Sequence, residues 1–85
     1  MKVLIPSALR SYTERAEAQA CGETLAALLV DLDRQYNGIR FRMIDEQERI
    51  RPHIRIFVNS TQVRDLGHRL ATSDEVVIVQ AWSGG

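Results

Sequence analysis

The sequence predicts an α+β domain, one amphipathic helix set against a sheet, and three observations predict it. Between Thr24 and Tyr36 the apolar positions Leu25, Leu28, Leu29, Leu32 and Tyr36 recur at three- and four-residue spacing, which gathers them on one helical face. From His53 to Asn59 apolar residues alternate, with Ile54, Ile56 and Val58 on one side and Arg55 and Phe57 on the other. The closing run Val76 to Ala81 is apolar on both faces, as in a strand covered by the core on one side and by something else on the other. A partner protein is one candidate for that second cover.

In chain order, Lys2 to Ile5 is aliphatic and ends in Pro6-Ser7, a short strand entering a turn. Arg15 to Ala20 alternates small apolar with polar residues, a period of two that predicts a second strand although Ala, Glu and Gln prefer helix. The helix follows, with Thr24 as its N-cap and Asn37-Gly38 supplying the left-handed turn that ends it. Ile39 to Asp45 is open between helix and strand, and Glu46 to Pro52 is polar enough to be an exposed loop tolerant of change. After the strands at 53–59 and 76–81 come Trp82, Ser83, Gly84 and Gly85, with nothing to fix them in a sheet. The expected organisation is one domain over 1–81 and a flexible tail over 82–85.

With 85 residues, 45% of them apolar, the chain has room for a single core and none for a second domain or a lidded cleft. Eleven basic residues balance eleven acidic ones, so no long-range field steers the protein to nucleic acid or to a membrane surface. A single cysteine, Cys21, excludes an internal disulfide and a paired-cysteine zinc motif, and it suits a reducing compartment. The apolar run Met1 to Ile5 stops at Pro6, too short for a signal-peptide core, and no stretch approaches membrane-spanning length. A cytoplasmic location is expected.

The side chains that carry chemistry elsewhere offer little here. Cys21 stands near no base at a meaningful spacing, so a structural, buried thiol is expected over a nucleophile or sulfur relay. His53 and His68 lack the regular spacing of a metal pair, which leaves surface or turn roles and no metal site. Asp31, Asp33, Asp45, Glu46 and Glu48 read as a solvated face, since nothing marks a cleft around them. Arg49 and Arg51 read as loop solvation, not a phosphate site.

The order strand, strand, helix, strand, short irregular strand, strand, ending in Gly84-Gly85, resembles the β-grasp fold of ubiquitin and of the bacterial sulfur carriers for molybdopterin, thiamin and cysteine. The resemblance covers essentially the whole chain. It is carried by Ile5-Pro6 with Leu9-Arg10, by Gly22-Glu23-Thr24-Leu25, by Ile56-Phe57-Val58-Asn59, by Asp74-Glu75-Val76 and by the terminal Gly84-Gly85. Tyr36-Asn37-Gly38-Ile39-Arg40 followed by His53 looks more like the carriers of cysteine or thio-metabolite biosynthesis than the molybdopterin ones. Two departures stand out. The tail reads Gln80-Ala81-Trp82-Ser83 where relatives carry proline and small residues, and Thr72-Ser73-Asp74 lacks the usual glycine before the acidic pair.

The resemblance implies a ubiquitin-like β-grasp domain, a mixed sheet of four to five strands packed on one main helix, with a flexible Gly-Gly tail. It implies a sulfur carrier that is not an enzyme: the Gly85 carboxylate would be adenylated by an E1-like ATP-dependent adenylyltransferase and converted to a thiocarboxylate. No cofactor is bound, ATP being consumed by the activating partner. Implied partners are that adenylyltransferase, a sulfur donor (sulfide or a sulfurtransferase), a sulfur-accepting synthase such as a cysteine synthase, and a processing metalloprotease of the kind that trims relatives made with residues beyond the glycines. Gly84, Ser83 and Trp82 would be read with the tail, and Phe57, Val77 and Val79, which share the outward side of the sheet, would dock the activating enzyme unless they are only partly buried against a loop. The other assignments open to such a chain are a molybdopterin-synthase small subunit, a ubiquitin-like modifier joined through Gly85 to lysines, and a non-covalent binding module.

Overall fold

The central helix sits where the leucine periodicity places it. In the computed structural model, which describes residues 1–81, α2 spans Leu25–Gln35, after a short α1 over Arg10–Thr13 and before α3 over Ile39–Met43. Thr24 Oγ1 accepts the amide hydrogen of Ala27 at 3.2 Å, closing the first turn of α2. Leu25, Leu28, Leu29 and Leu32 are fully buried. Gly38 takes a left-handed φ of 98°, and the Asp33 carboxylate accepts from the amides of Gly38 and Arg40, each at 3.0 Å. That carboxylate turns the chain from α2 into α3. Ile39 and Met43, four residues apart, are both fully buried, so the segment left open by the sequence is helical.

Five strands form one mixed sheet: β1 Lys2–Leu4, β2 Glu17–Gln19, β3 Ile54–Val58, β4 Thr61–Val63 and β5 Glu75–Gln80, in the order β2-β1-β5-β3-β4. Strand β5 lies in the middle, parallel to β1 and antiparallel to β3. Register makes the core in rows: Val3 beside Val76 beside Val58, then Ile78 beside Ile56 beside Val63, all buried under α2. In β2 the sheet overrides the helix preference of Glu-Ala-Gln, because pairing with β1 buries Ala18. The sequence assigned no element between Ser7 and Glu14, where the structure has a 3-10 turn, Ser7–Leu9, and then α1; Leu9 and Thr13, four apart, are buried. The loop from Glu46 to Pro52 is more anchored than its polarity suggests: Asp45 accepts from the amides of Gln47 and Arg49, at 2.9 and 3.0 Å, and Ile44 bridges to Ile50. No helix among the described residues is long and apolar enough to cross a membrane.

Strands β3 and β4 meet in a two-residue turn, Asn59 (φ 50°) and Ser60 (φ 72°), the double positive φ of a type I′ hairpin. Asn59 suits that conformation; Ser60 does not. Ser60→Gly is expected to raise the unfolding free energy by about 0.5–1 kcal/mol, read from the denaturant midpoint at unchanged m-value.

The turn is tied to the start of β5 by Asn59 Nδ2 donating to Asp74 Oδ1 at 2.8 Å, while Asp74 Oδ2 accepts from the Ala71 amide at 2.8 Å. The bond from Ala71, and then that from Asn59, hold the Asp74 carboxyl below its ordinary value; Asp31 and Asp45 are lowered too, chiefly by Arg34 and by the Arg49 amide respectively. A carboxyl depressed in the folded state contributes stability above its unfolded value and loses it as pH falls through the folded one. Stability is therefore expected to decline on acidification below the ordinary aspartate range, with a shallower decline in Asp74→Asn, measured by urea unfolding from neutral pH to about pH 2.

Candidate functional site

The site is built around the end of β5. The Ala81 amide donates to the His53 carbonyl at 2.7 Å, one step past the last strand residue, Gln80, so the central strand is held up to the last described residue. Trp82, Ser83, Gly84 and Gly85, the predicted tail and its reacting carboxylate, lie outside the described residues, as does their expected flexibility. Four residues beyond Ala81 reach at most about 13–14 Å.

Beside that root lies the outer face of the sheet. Phe57 and Val77 are direct partners across β3 and β5, and Val79 is the next outward residue along β5, opposite Arg55. The structure thus brings together the three residues expected to form a docking face. It adds Leu4, paired with Val77 on the other side, so that Leu4, Val77 and Phe57 make one apolar row across three strands. Leu4, Phe57 and Val77 are half-buried and Val79 is 38% exposed. Alternation in Val3-Leu4-Ile5 was the signal for Leu4: with Val3 and Ile5 in the core, Leu4 points outward. Lys2, the preceding outward residue of β1, flanks the row, pairing with Glu17 at 3.8 Å and Glu75 at 3.6 Å.

The other candidates fall into structural work. Cys21 is exposed, not buried as expected: Ala18 and Ala20 take the core side, so Cys21, two residues past β2, faces away from it, and its amide donates to Asp31 Oδ2 at 3.0 Å. It also stands at the wrong end of the sheet for a sulfur relay. Strand β2 is antiparallel to β1, so Cys21 lies beyond Lys2 and Met1, where β5 begins, and β5 then runs away from it for roughly 17 Å. The carbonyl of His68 accepts from the Leu25 amide at 2.9 Å, helping to fix the start of α2. No group of three or more metal-ligating side chains occurs among the described residues. Among the acidic residues read as a solvated face, Asp31, Asp33 and Asp45 are backbone anchors, and Glu48 pairs with Arg40 at 3.0 Å. Arg51 donates through Nε to the Phe41 carbonyl at 2.8 Å and lies over the Phe41 ring at 4.7 Å.

The geometry has close counterparts. The family model described as "ThiS family" matches residues 3–85. The sulfur carrier protein CysO of Mycobacterium tuberculosis is 36% identical over 89 aligned residues, covering 98% of this chain and 96% of the relative. A chain in the crystal structure of the Amycolatopsis orientalis BexX/CysO complex superposes with a TM-score of 0.91 at 30% identity, over 99% of this chain and 98% of that one. The small archaeal modifier protein 1 of Methanosarcina acetivorans superposes with a TM-score of 0.82 at 27% identity, over 99% and 94%.

Proposed function

Because the chain belongs to the ThiS family of ubiquitin-like sulfur carriers, we propose that it carries sulfur as a thiocarboxylate on Gly85 and donates it in cysteine or thio-metabolite biosynthesis. The observation that carries this reading is the end of β5: a central strand fastened by the Ala81–His53 bond, followed at once by Trp82-Ser83-Gly84-Gly85. Such a root presents a short tail at a fixed point of a rigid body. The domain over 1–81 is then the handle, and 82–85 the part that enters other proteins.

A carboxylate resists attack by sulfur because its leaving group would be oxide or hydroxide. Activation removes that obstacle: the Gly85 carboxylate attacks the α-phosphorus of ATP on an E1-like adenylyltransferase, pyrophosphate leaves, and an acyl adenylate forms. Sulfide then attacks the acyl carbon and AMP departs, leaving the thiocarboxylate; where the persulfide of a sulfurtransferase attacks instead, AMP departs to leave an acyl disulfide, whose S–S bond a second thiol reduces to release the thiocarboxylate and form a disulfide with the sulfurtransferase. This product is a soft nucleophile ready for an electrophilic acceptor held by a synthase. The chain supplies none of the catalytic side chains in these steps and is a co-substrate, with ATP bound only by the partner. Its own contribution is recognition, in which the row Leu4, Val77 and Phe57, with Val79, docks the activating enzyme. Likeness to the sulfur carrier protein CysO supports the carrier role, and the BexX/CysO complex supports docking of such a carrier on a partner protein.

The test is the intact mass of the protein after incubation with ATP, sulfide and the adenylyltransferase, for the full chain and for one lacking Gly85. A mass gain matching one oxygen exchanged for sulfur, confined to the full chain, is the expected result; no gain with an enzyme that forms adenylate on its own carrier overturns the reading. Likeness to a small archaeal modifier protein favours a second use of the same adenylate, transfer of the Gly85 acyl group to a lysine amine. That reaction leaves chain-sized mass additions on other proteins in a cell extract.

A further inference from the structure

On the helix side of the tail root, opposite the apolar row, lies a cleft of about 360 Å³ whose lining includes Phe41, Arg42, Arg51, His53 and Gln80, and no carboxylate. The chain as a whole is neutral, and four of its eleven Lys and Arg residues make ion pairs among the described residues: Lys2 with Glu17 and Glu75, Arg34 with Asp31, Arg40 with Glu48, and Arg49 with Asp45. Arg42 and Arg51, which line the cleft together, are among those that do not. Arg42 donates through Nε to the Tyr12 hydroxyl at 2.8 Å and Arg51 through Nε to the Phe41 carbonyl, both neutral oxygens. Arg55, across from Val79, donates to the Pro52 carbonyl. Among the described residues none of these three makes an ion pair, and the Nη edges of Arg42 and Arg51 have no hydrogen-bond partner there. Neutral acceptors fix the side chains without cancelling their charge.

Phe41 completes the surface. It is 56% exposed, an uncommon placement for a large aromatic ring, and Arg51 lies 4.7 Å above it. An exposed ring beside oriented guanidinium groups has the composition of a protein-binding hot spot, and guanidinium edges match carboxylates in paired hydrogen bonds. We propose that Phe41, Arg42 and Arg51 dock an acidic segment of the enzyme that takes up the tail. The partner then meets two unlike surfaces on either side of the end of β5, an apolar row and an arginine–aromatic cleft. A protein segment fits better than a nucleic acid because the patch is small and concave, abuts the point where the chain must enter a protein, and belongs to a neutral molecule.

This inference rests on the carrier reading for the identity of the partner but not for the existence of the surface, and the experiment separates the two. The full chain is titrated with hexaglutamate while backbone amide resonances are recorded. Salt-sensitive shifts are expected at residues 41–43, 51, 53–55 and 80–81; in the double variant Arg42→Glu, Arg51→Glu they should fall at least tenfold, and in Arg34→Gln, in the last turn of α2, they should persist. If charge reversal unfolds the domain, the Arg42→Gln, Arg51→Gln pair replaces it. Absent shifts, or shifts spread equally over all arginines, overturn the proposal. So does equal binding of hexathymidylate, which would make the cleft a general polyanion site, and so does a tenfold affinity gain on ending the chain at Ala81, which would make its occupant this chain's own carboxylate. In thiocarboxylate formation the double charge reversal should lower kcat/KM at least tenfold and flatten its salt dependence. A wild-type chain that is never activated defeats the carrier reading while the titration still decides the surface.

Discussion

Gly84→Ala is expected to lower the rate of thiocarboxylate formation at Gly85 by about 10²-fold or more, the scale of loss that a roughly 1 Å misplacement of a reacting group brings. A carboxylate attacking ATP must reach in-line geometry at the end of a channel narrow enough to exclude water. Glycine passes such a constriction with no Cβ and with backbone angles closed to other residues. Alanine brings both obstacles at once. Deleting Gly85 is harsher, because it withdraws the carboxylate by about 3.5 Å, one residue of extended chain. Neither change touches Leu4, Phe57, Val77 or the Ala81–His53 bond, so binding to the activating enzyme and the melting temperature should stay close to wild type while turnover collapses. A Phe57→Asp, Val77→Asp pair should show the opposite kinetics, a raised KM with less effect on kcat. Single-turnover measurements at saturating carrier distinguish the patterns. If Gly84→Ala reacts at the wild-type rate, the two glycines are not there to thread a channel.

The parts of this molecule visible in its sequence are those that local periodicity dictates. Leucine spacing marked α2, and alternation in 54–58 and apolarity in 76–81 marked the two central strands and their outward residues. The parts that stayed hidden depend on contacts far apart in sequence. Helix α1 is four residues and α3 five, too short for a period to register, and each exists because one pair of residues four apart reaches the core. The second strand was readable only as a weak alternation of small residues, since its stability comes from pairing with β1 rather than from its own preference.

The site divides in the same way. Phe57, Val77 and Val79 followed from strand parity, whereas Leu4 required knowing that β1 lies beside β5. Asp31, Asp33 and Asp45 looked like an ordinary solvated face because nothing in a linear sequence shows a carboxylate accepting backbone amides across a turn. Equal totals of acids and bases concealed the arginine cluster at the tail root: charge balance constrains the whole molecule, not where the fold leaves cations without partners.

Gly22→Ala is the substitution expected to damage the fold most for the least change in size. Exchanging glycine for alanine usually stabilises a chain by about 0.4–1 kcal/mol through the unfolded state. Here the added Cβ would stand 2.7 Å from the Ala27 carbonyl carbon and 2.8 Å from Leu28 Cα, where real Cβ atoms are essentially never found closer than 3.0 Å. Both are backbone atoms in the first turn of α2 and cannot rotate aside. The glycine's own segment has no slack either. The Cys21 amide is held by Asp31, the Glu23 carbonyl accepts from the Leu70 amide at 2.9 Å, and Thr24 both caps α2 and bridges to Arg69. Relief must come from displacing α2 against the sheet, which loosens the buried leucines together. A net loss of about 2–3 kcal/mol is expected, corresponding to a melting temperature lower by roughly 10–20 °C for a domain of this size. Calorimetry on Gly22→Ala and, as a control for composition, Gly67→Ala, whose new Cβ would meet only the Asp65 side chain at 3.3 Å, measures the difference. Equal melting temperatures would mean that α2 can shift freely. A large gap would show why the segment Gly22-Glu23-Thr24-Leu25 reads as it does: the helix of this fold starts by lying directly on the chain that leads into it.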